Sequence, residues 1–270
     1  MSNKIPPLLE QHLALPREAS LTILANTLGA SSNWLVLRYL YSILLQPGRG
    51  ADAGLGEAEA GPGVVFLSFM RDLAFWREGA SRMGLDLDTL SRAGRFSFVD
   101  GLTGLLSGGR GSESTADRGR VLLSGKPDDV RRTLEAAIAD VRSSGPKILI
   151  IDQLDELLAI FGDEDVTGPA LEGMLLSLRE RVHATVLSFS VDDALLRSQG
   201  TTLERSHAAL VLAQAHAADV ILSLRMLDTG VAKDVSGVVR VTERDRAEAG
   251  AEYLYHVGAD GNVKVFERGA

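Results

Sequence analysis

Short continuous apolar runs alternate along most of the chain with longer segments whose apolar residues recur at helical spacing. That alternation describes strands buried on both faces and joined by covering helices. The run "SLTILA" predicts a strand over Leu21–Ala25, and Ser31–Gln46 a helix that Pro47-Gly48 ends. "VVFLSFM" gives a second strand followed by a helix over Asp72–Met83, and "RFSFVDG" a third. Over Pro127–Arg142, Val130, Leu134, Ala137, Ile138 and Val141 fall on one helical face, with proline at the start. "KILIID" follows as a strand, then helical stretches over Leu154–Phe161 and Ala170–Val182, the strand "ATVLSFSV", a helix over Leu203–His216 and the strand "ADVILSL".

In the last third the helices drop out. "GVVRVTE", "EYLYHV" and "NVKVFE" follow one another directly, and Gly258-Ala259-Asp260-Gly261 reads as a hairpin turn. The expected fold class is therefore α/β: a largely parallel sheet flanked by helices, with right-handed crossovers and an antiparallel C-terminal edge. Two Gly-rich stretches, about 48–63 and 104–119, lack apolar periodicity and read as flexible insertions in a single domain spanning 1–270.

Composition narrows the function. With 270 residues and 45% hydrophobic content, the chain can bury the core of one large domain. It has no cysteine, which removes disulfides and thiolate metal sites and suits an intracellular setting. The N-terminal residues lack a signal-peptide core. The longest apolar run, Trp34–Leu45, is too short to span a bilayer and contains Arg38, so no membrane association is expected and the location is read as cytoplasmic or nuclear. A net charge of -8 argues against a nucleic-acid binder that acts alone, and 5% aromatic content against a base-stacking surface.

The stretch "TILANTLGASSN" stands where a strand, loop, helix nucleotide-binding unit carries its phosphate loop. Such a loop needs glycines for the tight bend, a lysine for the β and γ phosphates and a hydroxyl for magnesium. Here Asn26 and Ser31 take the glycine positions, Ser32 the lysine and Asn33 the hydroxyl. All four defining positions fail, which argues against tight triphosphate binding and turnover, although the helix N-terminus still offers N–H groups to an anion. "ILIID" ends at Asp152, which reads more readily as a cap of the following helix than as a magnesium ligand. Gly125-Lys126, followed by Pro127, makes no substitute loop. The five histidines show no metal-ligand spacing, no Gly-x-Ser-x-Gly elbow exists, and "DELLAIFGDEDVTG" lacks the alternating ligands of a calcium loop. Neither a catalytic residue nor a cofactor or metal site is assigned.

The order strand, degenerate phosphate loop, helix, Asp-ended strand, two further strands and hairpin edge resembles the RecA-like ATPase core. The general-base Glu of that core lies just past its second strand, where "FLSFMRD" places Met70, and a thioether takes no proton from water. Within that group the chain resembles the family of the sixth Elongator subunit. The resemblance rests on "WLVLRYLYSILL", "VVFLSFMRDLAFWREGASRMGLDL", "FSFVDGLTGLL", "GVAKDVSGVVRVTER" and "YLYHVGADGNVKVFERG". It implies a non-catalytic subunit that forms a hetero-hexameric ring with the fourth and fifth subunits. That ring docks on the catalytic Elongator subcomplex, binds tRNA and supports wobble-uridine modification. The resemblance also implies that loops near Phe161–Gly168 and Asp192–Ser206 face the ring opening, the second presenting Arg197 and Arg205 in "RSQGTTLER" to tRNA. The competing readings are a RecA-like ATPase of recombination or clock type and an unrelated doubly wound enzyme with a crevice at the strand C-termini.

Overall fold

A computed structural model describes residues 4–45, 61–106, 119–198, 200–227, 232–245 and 250–267, without the side chains of 163–165. Among the described residues ten strands form one sheet: β1 (Leu21–Asn26), β2 (Gly63–Ser68), β3 (Phe96–Asp100), β4 (Arg120–Val121), β5 (Lys147–Asp152), β6 (Ala184–Ser190), β7 (Val220–Arg225), β8 (Gly237–Glu243), β9 (Ala251–Val257) and β10 (Val263–Phe266). Their spatial order is β10-β9-β8-β7-β1-β6-β5-β2-β3-β4. β7 through β4 run parallel and β8 to β10 antiparallel, so the C-terminal strands form one edge as their sequence pattern predicts. The hairpin joining β9 to β10 closes through Gly258 N–H to Asn262 O at 2.8 Å and Gly261 N–H to Gly258 O at 2.9 Å.

The helices are α1 (Glu10–Leu13), α2 (Asn33–Leu44), α3 (Leu73–Arg82), α4 (Leu87–Arg92), α5 (Thr103–Leu106), α6 (Pro127–Asp140), α7 (Glu156–Asp165), α8 (Gly168–Arg179), α9 (Asp193–Arg197) and α10 (Thr202–Ala217). Successive residues of the central strands feed opposite cores. Leu24, Val64, Phe66, Ile148 and Ile150 pack beneath α2, α3 and α4, with Trp34, Tyr39 and Trp76. Ile23, Val65, Leu67, Leu149 and Ile151 pack beneath α6, α7, α8 and α10. This is why the strands read as unbroken apolar runs.

Several helix boundaries differ from the sequence reading. The expected helix over Asp72–Met83 is followed by α4, whose start is fixed by Asp86 accepting from the N–H groups of Asp88 and Thr89, both at 3.0 Å. α6 stops at Asp140, before the expected Arg142, because Val141 turns to extended backbone. The expected loop Phe161–Gly168 is mostly helix: α7 continues to Asp165 across a kink at Gly162 (φ 65°), a conformation that glycine adopts without steric cost. The expected loop Asp192–Ser206 contains α9 and the first turn of α10. Of the two Gly-rich stretches, residues 48–60 and 107–118 lie outside the described residues, while Gly63 opens β2 and Gly104 lies in α5. Among the described residues, no helix is long and apolar enough to cross a membrane.

Candidate functional site

In a parallel sheet of this kind the crevice for chemistry lies at the C-terminal strand ends. There the register brings Asn26 of β1 beside Ser190 of β6, and Ser68 of β2 beside Asp152 of β5. The loop Thr27–Ser32 leaves β1 and enters α2. It turns at Gly29 (φ 86°), closes with Ala30 N–H to Thr27 O at 2.9 Å, and is held by Leu28 N–H donating to Asp192 Oδ1 at 2.9 Å. Leu28 at its tip is 87% exposed.

The four residues at phosphate-loop positions bond to their own surroundings. The Ser32 hydroxyl, buried at the N-cap of α2, donates to Asn26 Oδ1 at 3.4 Å, and Ser31 Oγ accepts from Asn33 N–H at 3.2 Å. Asn26 Oδ1 also accepts from the Gln153 side-chain amide at 2.8 Å, while Gln153 Oε1 accepts from the Ser190 hydroxyl at 2.9 Å. Gln153 thus bridges β1 and β6 from the end of β5. Its backbone is left-handed (φ 57°), a strained region for a side-chain-bearing residue, and is pinned by its N–H donating to Ser188 Oγ at 2.8 Å.

Asp152 does not cap the next helix as its position suggests. Its two oxygens accept from the hydroxyls of Ser68 and Ser188, each at 2.8 Å, and the residue is 1% exposed. Burial pushes its carboxyl above the usual range, and the Ser188 and Ser68 hydroxyls oppose that rise. Deeper in the same edge, Asp155 Oδ2 accepts from Ser190 N–H and meets His207 Nε2, both at 3.2 Å, with Asp155 and His207 both buried. Burial, followed by the Asp155 charge, raises Glu156 in turn.

The site therefore gathers Asn26 and Ser32 from the sequence-read set with Ser68, Asp152, Gln153, Ser188 and Ser190. Those serines and Gln153 carried a signal only as polar residues ending otherwise apolar strands, as in "VLSFS". Arg197 and Arg205 are not part of it. Arg197 ends α9 with its side chain 80% exposed and 3.4 Å from Asp193, and Arg205 lies exposed in the first turn of α10. Met70 is 40% exposed just past β2. Lys126 is the N-cap of α6, and Gly125 packs so tightly on the Phe161 ring that a Cβ there would come within 1.9 Å of it. Among the described residues, no group of three or more His, Asp or Glu side chains is placed to hold a metal ion.

No curated protein matches the chain in sequence. Among solved structures, a KaiC-like protein of the hyperthermophilic archaeon Pyrococcus horikoshii OT3 superposes over 98% of both chains, with a TM-score of 0.56 at 15% identity, a likeness of fold. The family model described as Elongation complex protein 6 (ELP6) matches residues 58–257. The chain belongs to that family and is an Elongator subunit built on a RecA-like fold.

Proposed function

We propose that the chain is a non-catalytic member of a six-membered ring formed with the fourth and fifth Elongator subunits, two copies of each. The ring docks on the catalytic Elongator subcomplex, binds tRNA in the cytoplasm or nucleus, and supports modification of the wobble uridine. The observation that carries this reading is the self-satisfied polar network at the strand ends. The donor set there does not suit a magnesium triphosphate. Asn26, Ser31, Ser32 and Asn33 supply no cation, Ser32 Oγ is turned to Asn26, and both Asp152 oxygens are taken by hydroxyls. A RecA-like fold freed from nucleotide chemistry keeps its flanks, and flanks are what a ring uses.

The tRNA contact in this reading falls to Arg197 and Arg205. The Arg197–Asp193 pair is exposed on both sides, 80% and 79%, so water screens it and the guanidinium can exchange partners for a phosphate at little cost. Replacing both arginines with alanine in the assembled ring is expected to weaken tRNA binding. It should also flatten the dependence of log affinity on log salt by about 0.7–0.9 for each phosphate that the ring no longer neutralises. Affinity and slope unchanged across a salt series would remove these two residues from the interface. The ATPase reading makes the opposite demand on the isolated chain, which would then have to bind ATP measurably.

A further inference from the structure

Buried cations normally have a counter-ion, because a desolvated charge is costly unless paired. Arg38, on α2, departs from this. It is 3% exposed, its Nη2 donates to the Gly261 carbonyl at 2.7 Å, and its Nε is buried with no acceptor. Among the described residues, no carboxylate comes within ion-pair distance of it. Burial pulls its pKa down to about 10, which leaves it charged at neutral pH.

Arg38 lines a cavity of about 230 Å³ between α2, α3 and the β9–β10 turn, with Lys4, Glu78, Arg82, Asp260 and Asn262. The two carboxylates there are already engaged. Glu78 pairs with Arg82 at 2.5 Å, and Asp260 accepts from the Asn262 N–H at 3.0 Å and from its side-chain amide. The Asn262 backbone N–H holds the Asp260 carboxyl below its usual range. Lys4 donates to the Met83 carbonyl and lies 5.5 Å above the Tyr41 ring, and among the described residues no carboxylate forms an ion pair with it. The cavity walls thus carry three cations and two carboxylates, one net positive charge, with the least hydrated cation among them.

We propose that this cavity binds a small free oxyanion of the carboxylate or phosphate class, whose negative group pairs with the Arg38 guanidinium and is flanked by Lys4 and Arg82. A guanidinium presents donors in a planar fork that fits either anion, and a charge-assisted bond in a desolvated site is stronger than one at the surface.

The test uses the full chain in chloride buffer, titrated separately with inorganic phosphate and with malonate, following the unfolding temperature and the Arg38 Nε–H resonance. Saturable stabilisation by at least one anion is expected, together with a shift of that resonance. In Arg38→Met, which keeps an apolar stem, half-saturation should weaken by about tenfold to a hundredfold. Lys4→Met should weaken it several-fold and serves if Arg38→Met does not fold. The arm that saturates at lower concentration identifies the chemistry. General salt stabilisation acts on all variants alike. Equal responses of wild type and variants, or a response to neither anion, would overturn the proposal.

Discussion

Replacing Trp76 with alanine is expected to cost about 3–5 kcal/mol of folding stability, measured as a fall in the urea midpoint at constant slope. Trp76 is fully buried, and its ring meets Phe66 edge-on at a centroid distance of 4.8 Å and Phe75 at 5.2 Å. It is the side chain through which α3 grips β2, and Phe66 passes the contact on to Phe98 of β3 at 5.6 Å. Truncation would leave a large cavity in a region whose other occupants are held by the sheet and cannot collapse into it. The indole N–H is buried without an acceptor, so Trp76→Phe gives up area but also removes an unpaired donor. It should therefore cost clearly less than the alanine change, because the phenyl ring fills most of the space and leaves a smaller cavity. An alanine variant within about 1 kcal/mol of wild type would mean that α3 does not depend on this packing.

Asp152→Ala should cost about 2–4 kcal/mol, because two hydroxyls, those of Ser68 and Ser188, would be left without their buried acceptor at about 1–2 kcal/mol each. Asp152→Asn keeps an acceptor and carries no charge, and should lie within about 1 kcal/mol of wild type at neutral pH. The two also part with pH. Burial raises the folded-state carboxyl above the ordinary value of 3.8, so the native state holds this proton more tightly than the unfolded chain. The stability so contributed is full below 3.8 and is lost as pH climbs through the raised value. Wild type should therefore gain on Asp152→Asn as the solution is acidified across that window. A difference independent of pH, or one of opposite sign, would show that Asp152 is not the desolvated carboxyl described above.

The fold was legible where one physical cause dominated. Strands buried on both faces must be apolar throughout, so β1, β2, β5 and β6 stood out. The antiparallel edge followed from the lack of helical spacing in the sequence between the runs that form β8, β9 and β10 and from the turn at Gly258–Gly261. Short helices fixed by polar caps were harder to read. The start of α10 was available in "TTLE", where Thr201 and Glu204 form a reciprocal capping box, but α9 just before it has no buried residue and hence no periodicity. The strand-end network was the least legible part. Asn26, Gln153 and Ser190 lie far apart in the chain and meet only because the order β1-β6-β5 sets them side by side. The resemblance drew on "WLVLRYLYSILL", yet the family match begins at residue 58, after that helix. The early part of the chain is thus tied to the fold mainly through its structural likeness.

In the function proposed above, the chain is a RecA-like subunit that works by association without nucleotide. The direct measurement is the native mass of the particle purified after co-expression with the fourth and fifth Elongator subunits, with and without magnesium ATP. Six chains, two of each subunit, at the same mass in both conditions is the predicted result. A chain that stays monomeric beside its sister subunits, or assembles only when magnesium ATP is added, would contradict it.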